Sequence, residues 1–360
     1  MTARAVAMGR RGLELFSFTG GFLWAIRIVA IVVVVWGATA SIAAGRLSFE
    51  QWKSLMVFGL AQGSVYALIA LGYTMVYGVL RFINFAHGEV FMTGAMIGFF
   101  TARELDQHGL WNDNPVVGIL ITLLVTMTTS TLVAVGVERV AYRPLRQRPR
   151  LILLITAIGA SFVLQYAVRG LFGAGIKSYP EIDALEGSWR IVGFNVVKSQ
   201  GVVIVIAVAM MLLLYAFVER TRTGRAMRAV AEDQETAELM GINVDRTIVT
   251  VFAVGGAMAG VAGLLWGLVF GQVFFFTGFL PGIKAFASAV LGGIGNIPGA
   301  MLGGLVLGET ESLGPSLVLS GIGVPSAHQL KDVIAFSVLV LVLIFRPTGL
   351  LGERVAEERG

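Results

Sequence analysis

The 360-residue chain contains no cysteine, only three histidines and 14% charged residues. Without thiols there is no disulfide, no thiolate metal site and no cysteine nucleophile. His87, His108 and His328 are scattered. His87 and Glu89 spell H-x-E, but no further His, Asp or Glu stands nearby at ligand spacing, which argues against a metal centre. An intramembrane enzyme needs a convergent nucleophile and base, or a metal, and the sequence offers neither. A Walker A loop is also missing: the glycines between Gly278 and Lys284 precede a lysine but lack the G-K-[ST] ending. The arginines cluster beside apolar runs rather than on one basic domain, so nucleic acid is not an expected partner.

What the chain has is grease and glycine. Hydrophobic residues make up 56% and glycines number 46, with a mean hydropathy of +0.82. This lies outside the soluble globular range and implies a polytopic membrane protein. Lipid cannot satisfy backbone polar groups, so the runs must be helical and the fold class all-α. Hydropathy, with glycine and charge as punctuation, places spans near 22–44, 54–80, 115–138, 151–172, 201–218, 248–270, 297–313 and 331–346. Two shorter stretches, 88–102 and 281–294, have about 14 residues each, below the roughly 17 an upright span needs. They read as broken or re-entrant helices.

The count is then about ten membrane segments, and the positive-inside rule tests it. Arginines accumulate in the amino-terminal tail (1–21), in 139–150 and in 220–228. Alternation puts all three on one side, provided 88–102 crosses, so both termini, including the tail 347–360, are expected in the cytoplasm. Arg4, Arg10 and Arg11 before the run from Phe22 superficially resemble a signal peptide. The run is too long and lacks a convincing cleavage site, although Ala43-Ala44-Gly45 offers small residues, and it reads as a retained first span. The membrane domain then extends over 22–346. Its longest external connection, 173–200, either seats an external partner or caps the bundle.

Glycines concentrate at 59–98 and 255–304, recurring at intervals of three or four as in Gly256, Gly260, Gly263 and Gly267. Small residues at this spacing let helix backbones approach closely. Both zones share one layout, in which a long span leads through a hinge to a short helix. The hinges are Asn84-Phe85-Ala86-His87-Gly88-Glu89 and Gly278-Phe279-Leu280-Pro281-Gly282. Duplicated transporter halves have this character, though residue identity between the zones is too low to establish a repeat.

The most charged connection is 219–247. Thr223-Gly224 precedes a helix-forming run from Arg225 to Ala231, Asp233 is placed to cap a second short helix, and Gly241 ends it. Asp245 is placed to cap the following span at Thr247. Arg225, Arg228, Glu232 and Glu235 recur at steps of three or four, so one helical face is charged, with an Arg228–Glu232 pair worth only a few tenths of a kcal/mol. Such a face suits water or a docking partner. Glu235, Ala237 and Gly241 fall in an E-x-A-x-x-x-G spacing that resembles the loop by which ABC importer permeases engage their ATPases.

Five strings extend the resemblance: LGYTMVYGVLRFINFAHGEVFMTGA at 71–95, ERVAYRPLR at 138–146, GRAMRAVAEDQETAELMGIN at 224–243, GIKAFASAVLGGIGNIPGAMLGGLVLG at 282–308 and RPTGLLG at 346–352. Together they resemble the permeases of high-affinity branched-chain amino acid ABC importers, with urea and short-chain amide permeases as close relatives. The similarity covers about 50–360, with a family core at 50–346, leaving the span at 22–44 as an addition. The resemblance implies a bacterial inner-membrane importer subunit, not an enzyme. Its expected partners are a paralogous permease, two cytoplasmic ATPases that carry ATP and Mg, and an extracytoplasmic binding protein, with no cofactor on this chain. Gly224, Arg225, Arg228, Glu232, Asp233, Glu235, Ala237 and Gly241 become coupling-loop candidates. The I-x-L-P element that usually follows Gly241 is not present. An ion-driven secondary transporter is the competing class, but it calls for acids deep in the bundle, and the acids here lie mostly at loops and hinges.

Ionisable or polar groups at membrane depth are costly and therefore functional candidates. Asn84, His87, Glu89 and Lys284 form the expected translocation-path set. A zwitterionic amino acid needs an acceptor for its ammonium, donors for its carboxylate and an apolar pocket. Glu89 and Lys284 supply one charge of each sign, or pair with one another across the two hinges. Glu309 and Glu311 lie near a span's external end, where hydration is expected.

Overall fold

A computed structural model describes residues 18–352; the remainder of both expected tails lies outside the described residues. The chain runs through α1 (Phe18–Ala43), α2 (Phe49–Leu80), α3 (His87–Gln107), a single turn α4 (Leu110–Asp113), α5 (Pro115–Val137), α6 (Arg150–Phe172) and α7 (Lys198–Arg220). Two short helices follow, α8 (Arg222–Glu232) and α9 (Gln234–Leu239), then α10 (Val244–Phe270), α11 (Phe279–Gly292), α12 (Ile297–Gly314) and α13 (Lys331–Phe345). Among the described residues, strand structure is confined to two small antiparallel pairs, Ser188–Ile191 with Phe194–Val197 and Lys177–Ser178 with Gln272–Val273. The protein is an all-α polytopic bundle in which 7 helices of the described residues are long and apolar enough to cross a membrane.

The expected spans fall on helices, with one correction. The stretch 88–102 is not a short piece. α3 has 21 residues, about 31 Å at the α-helical rise, although it is not among the helices both long and apolar enough to count as a crossing. Its last two turns carry Arg103, Glu104 and Asp106, so the apolar signal stops before the helix does. α11 is short as expected, with 14 residues.

Glycine sets the packing. α2 and α12 meet along Gly63, Ala67, Gly304 and Gly308, where a Cβ on Gly304 would come within 2.6 Å of Ala67 Cβ. Gly256 of α10 abuts Ser130 and Ala134 of α5, and Gly263 abuts the Gly94–Ala95 backbone of α3. Ridges this shallow bring backbones together and bury α2, α3 and α10 in the interior. The aliphatic faces of α1, α6 and α7, such as Val32, Ile155 and Leu212, remain exposed.

The two glycine-rich zones run in opposite directions. α2 descends to the end of the bundle that carries α8 and α9, and residues 81–86 climb back so that His87 packs against Gly72 and Tyr73. His87 thus lies eight residues, roughly 12 Å, above the end of α2. α10 rises to the opposite end, residues 271–278 turn back, and α11 starts inside the bundle. Gly88 and Gly278 touch backbone to backbone, with Gly282 against Gly88 Cα. The layout shared by the two zones is therefore inverted in the fold, and its two interrupted halves meet at their helix starts.

At the far end, Tyr179 of the 173–200 connection inserts into the bundle, its hydroxyl donating to the Ala95 carbonyl. Trp111 donates to the Pro180 carbonyl at 3.2 Å. The connection caps the bundle, one of its two expected roles.

Candidate functional site

The loop between α7 and α10 is built as two capped helices. Thr221, in extended conformation, accepts from the Gly224 amide at 3.0 Å and starts α8 three residues before the expected run. Gly224 lies against the Phe217 and Val218 carbonyls, leaving no room for a Cβ. Met227, Val230 and Ala237 turn inward and are buried, while Arg225, Arg228, Glu232 and Glu235 are exposed. Asp233 caps α9, accepting from the Glu235 and Thr236 amides at 2.9 and 3.2 Å and from the Thr236 hydroxyl at 2.7 Å. These donors hold its carboxyl below the usual carboxylate range, the Thr236 hydroxyl foremost. Gly241 adopts φ +85°, and its amide donates to the Glu238 carbonyl at 2.9 Å, a left-handed helix end that favours glycine.

Two side-chain expectations for this loop are corrected. Arg228 pairs with Glu219 at the end of α7 rather than with Glu232, because α8 folds back over α7. Asn243, not Asp245, caps α10, accepting from the Arg246 amide at 2.8 Å. Asp245 instead receives Arg143 at 2.7 Å and Arg146 at 2.6 Å.

Neither arginine carried a signal beyond the 138–146 string. Residues 138–142 form a widened turn, with the Arg143 amide donating to the Glu138 carbonyl. This turn sets buried Glu138 on Arg146 at 2.5 Å. It also places the Tyr142 hydroxyl on Asn84 of the first hinge. Two further contacts escaped the sequence reading. Arg81 donates to the Ala231 carbonyl at 2.7 Å and Gln234 donates to the Val79 carbonyl at 2.7 Å. The helical loop therefore holds the end of α2, one step from the hinge that leads to His87 and Glu89.

The structure gathers Asn84, His87 and Glu89 at that hinge and separates Lys284 from them. Asn84 is engaged by Tyr142. His87 is buried, edge-on to Tyr73 with ring centroids 4.9 Å apart. Glu89 lines a cavity of about 310 Å³ with Tyr73, Phe85, Ser161, Gln165 and Ile283. Lys284, one helical turn along α11, points to the other side and pairs with Glu311 at 2.6 Å and Asp332 at 2.6 Å. The expected alternative of a Glu89–Lys284 pair is thus not formed. Glu311 is not hydrated but buried, with Tyr66 donating to it at 3.1 Å. An 18-residue α12 carries it inward against α2 and α13. Glu309 is half-buried, and its Oε2 faces Gly59.

A close-packed bundle of membrane-crossing helices, with interrupted helices meeting in its interior and a rigid helical loop gripping one end, defines the membrane subunit of a transport system rather than an enzyme. The chain belongs to the family described as branched-chain amino acid transport system, permease component, whose pattern matches residues 55–343. It is 44% identical over 306 residues to the high-affinity branched-chain amino acid transport system permease protein BraD of Pseudomonas aeruginosa, spanning 84% of this chain and 96% of that protein. It is 42% identical over 316 residues to LivH, of the same description, from Escherichia coli K12, covering 86% and 98%. A partial similarity reaches the fructose import permease protein FrcC of Rhizobium meliloti, 34% identical over 122 residues, 32% of this chain and 33% of that one. α1 lies outside the family match.

Proposed function

We propose that this chain is the translocating subunit of an ATP-driven importer of branched-chain amino acids in a bacterial cytoplasmic membrane. It works with a paralogous permease, two cytoplasmic ATPases carrying ATP and Mg, and an extracytoplasmic binding protein. The observation that carries this reading is the double grip of the 219–247 loop on the end of α2 through Arg81–Ala231 and Gln234–Val79. Short helices seated in an ATPase groove move as rigid bodies, and these contacts pass that motion to the hinge at 81–86. The exposed face left for the ATPase combines Arg225, Glu232 and Glu235 with Leu239 and Met240, 88% and 79% exposed.

Orientation has its own support. The arginine-rich segment 139–150 lies at the same end of the bundle as the start of α10 that follows the 219–247 loop, through Arg143 and Arg146 on Asp245, as the positive-inside rule expects of a cytoplasmic face. The substrate follows the two relatives matched over nearly their whole length, both branched-chain amino acid permeases.

The test is uptake of labelled leucine and of urea by proteoliposomes holding the chain with its partner subunits, with and without ATP and with Gly241→Pro. Proline cannot adopt φ +85° and removes the amide that donates to Glu238. ATP-dependent leucine uptake abolished by the substitution supports the reading. Urea uptake alone moves the substrate, and ATP-independent uptake overturns the coupling.

A further inference from the structure

Three acids are fully buried among the described residues: Glu89, Glu138 and Glu311. Burial of a carboxylate is costly unless a cation and hydrogen bonds replace water. Glu138 has Arg146 at 2.5 Å and Glu311 has Lys284 at 2.6 Å. Glu89, 1% exposed, has neither a lysine nor an arginine paired with it among the described residues. Its Oε1 lies 3.5 Å from both Ser161 Oγ and Gln165 Nε2, the outer limit of a hydrogen bond, and its Oε2 has no partner among the described residues. The same carboxylate borders the cavity between α3, α6 and α11. The bundle has built every part of a buried ion pair there except the cation.

The rest of the cavity states what else the missing group must carry. Phe85, Ile158, Phe162, Phe279 and Ile283 line it with apolar surface, which suits an aliphatic or aromatic side chain and excludes a strongly hydrated metal ion. Tyr73, Ser161 and Gln165 contribute the polar atoms besides Glu89, and each is able to donate. At about 310 Å³ the space is at the lower end of small-molecule sites, and it opens on the outer face of the bundle, where Ile158, Phe162 and Phe279 are exposed.

We infer that this cavity is a substrate subsite of the permease, in which Glu89 receives a primary ammonium, Ser161, Gln165 and Tyr73 offer donors to a carboxylate, and the phenylalanine and isoleucine wall receives a branched aliphatic side chain. The inference rests on the reading of the chain as an amino acid permease and adds the residues that meet the substrate. It also assigns a use to the meeting of the two hinges. Gly88, Gly278 and Gly282 let the starts of α3 and α11 touch beside Glu89, so movement of either hinge changes the width of the cavity. Because the coupling loop holds the end of α2, the pocket lies on the element that ATPase closure displaces.

The absence of native cysteine in this chain makes a single introduced thiol its one maleimide-reactive thiol, read on this subunit after the labelled complex is separated. Ser161→Cys and, independently, Ile158→Cys are introduced into the complete transporter and labelled with a water-soluble maleimide. Labelling is followed with leucine, with leucinol, which keeps the ammonium, and with 4-methylpentanoate, which keeps the side chain and carboxylate only. Leucine and leucinol are expected to slow labelling about tenfold when present at about ten times their dissociation constants, and 4-methylpentanoate to leave it unchanged. Adding Glu89→Gln is expected to weaken both protections by about tenfold or more, the worth of a charge-assisted hydrogen bond.

Failure of both cysteines to react overturns the subsite, as does equal protection by 4-methylpentanoate or protection that survives Glu89→Gln. The functional reading fails separately. Protection by leucinol without any ATP-driven leucine uptake leaves the ammonium site standing and removes the transport assignment. Uptake without protection does the reverse.

Discussion

Arg81, in the left-handed conformation with φ 55°, reaches from the end of α2 to the Ala231 carbonyl at 2.7 Å. A non-glycine residue in that region is uncommon and is held by its surroundings. The guanidinium ties the turn that opens the first hinge to the last turn of α8. Removing it is expected to separate nucleotide hydrolysis from transport.

Arg81→Ala, alone and with Gln234→Ala, should lower leucine uptake several-fold while ATP hydrolysis continues. Both rates, measured in the same proteoliposomes, give the number of molecules moved per ATP. An unchanged ratio in the double variant would show that the grip on α2 carries no motion.

Leu239 and Met240 form an exposed apolar pair beside Gly241. Beside the exposed charges of α8 and α9, they give that face the apolar centre and polar rim of a protein contact. Leu239→Ser with Met240→Ser should weaken ATPase association by about tenfold or more, the scale of a small hot spot. The melting temperature of the isolated permease should stay the same. Co-purification and detergent melting curves separate the two effects.

The Lys284–Glu311 pair is enclosed by Tyr66, Asp332 and Lys331. Lys284→Met leaves Glu311 buried with a single lysine at 3.6 Å and should destabilise the bundle by about 3–5 kcal/mol. Adding Glu311→Leu should recover most of the loss, since the pair itself is worth little against apolar packing. Thermal unfolding of the single and double variants in detergent decides between this and a role in transport.

Asp233 gives a pH expectation. Its folded pKa is depressed, so its contribution is complete above the ordinary carboxylate value near 3.9 and is lost as pH falls through the folded value. Between about pH 6 and 8 the cap is therefore constant. Asp233→Ala should speed hydrogen exchange at the Glu235 and Thr236 amides at neutral pH, and Asp233→Asn, also a good cap, should restore protection.

Glycine spacing predicts one further outcome. Gly304→Val places branched carbons where Ala67 already stands, and overpacking of this kind costs about 1–3 kcal/mol or more. The folded yield after detergent extraction should fall, whereas Gly21→Val, with nothing within 4 Å of its Cβ position, should be neutral.

Composition and period by themselves determine much of this protein. The apolar runs fixed where helices stand, because lipid leaves the backbone no other way to satisfy itself. Gly224, Asp233 and Gly241 announced a folded loop, because capping and left-handed turns demand particular residues within a few positions of one another. The strings at 71–95 and 224–243 announced the family.

Partners across the chain were another matter. Nothing local distinguishes Lys284 facing Glu89 from Lys284 facing Glu311; the choice follows from the rotation of α11 once Gly282 sits on Gly88 and Gly292 on Gly299. Arg81, Gln234 and Tyr142 have the same origin, since their acceptors lie 150, 155 and 58 positions away. Sequence periodicity reports which face of a helix is buried. Only the packed bundle decides which buried charge finds a partner and which is left waiting beside a cavity.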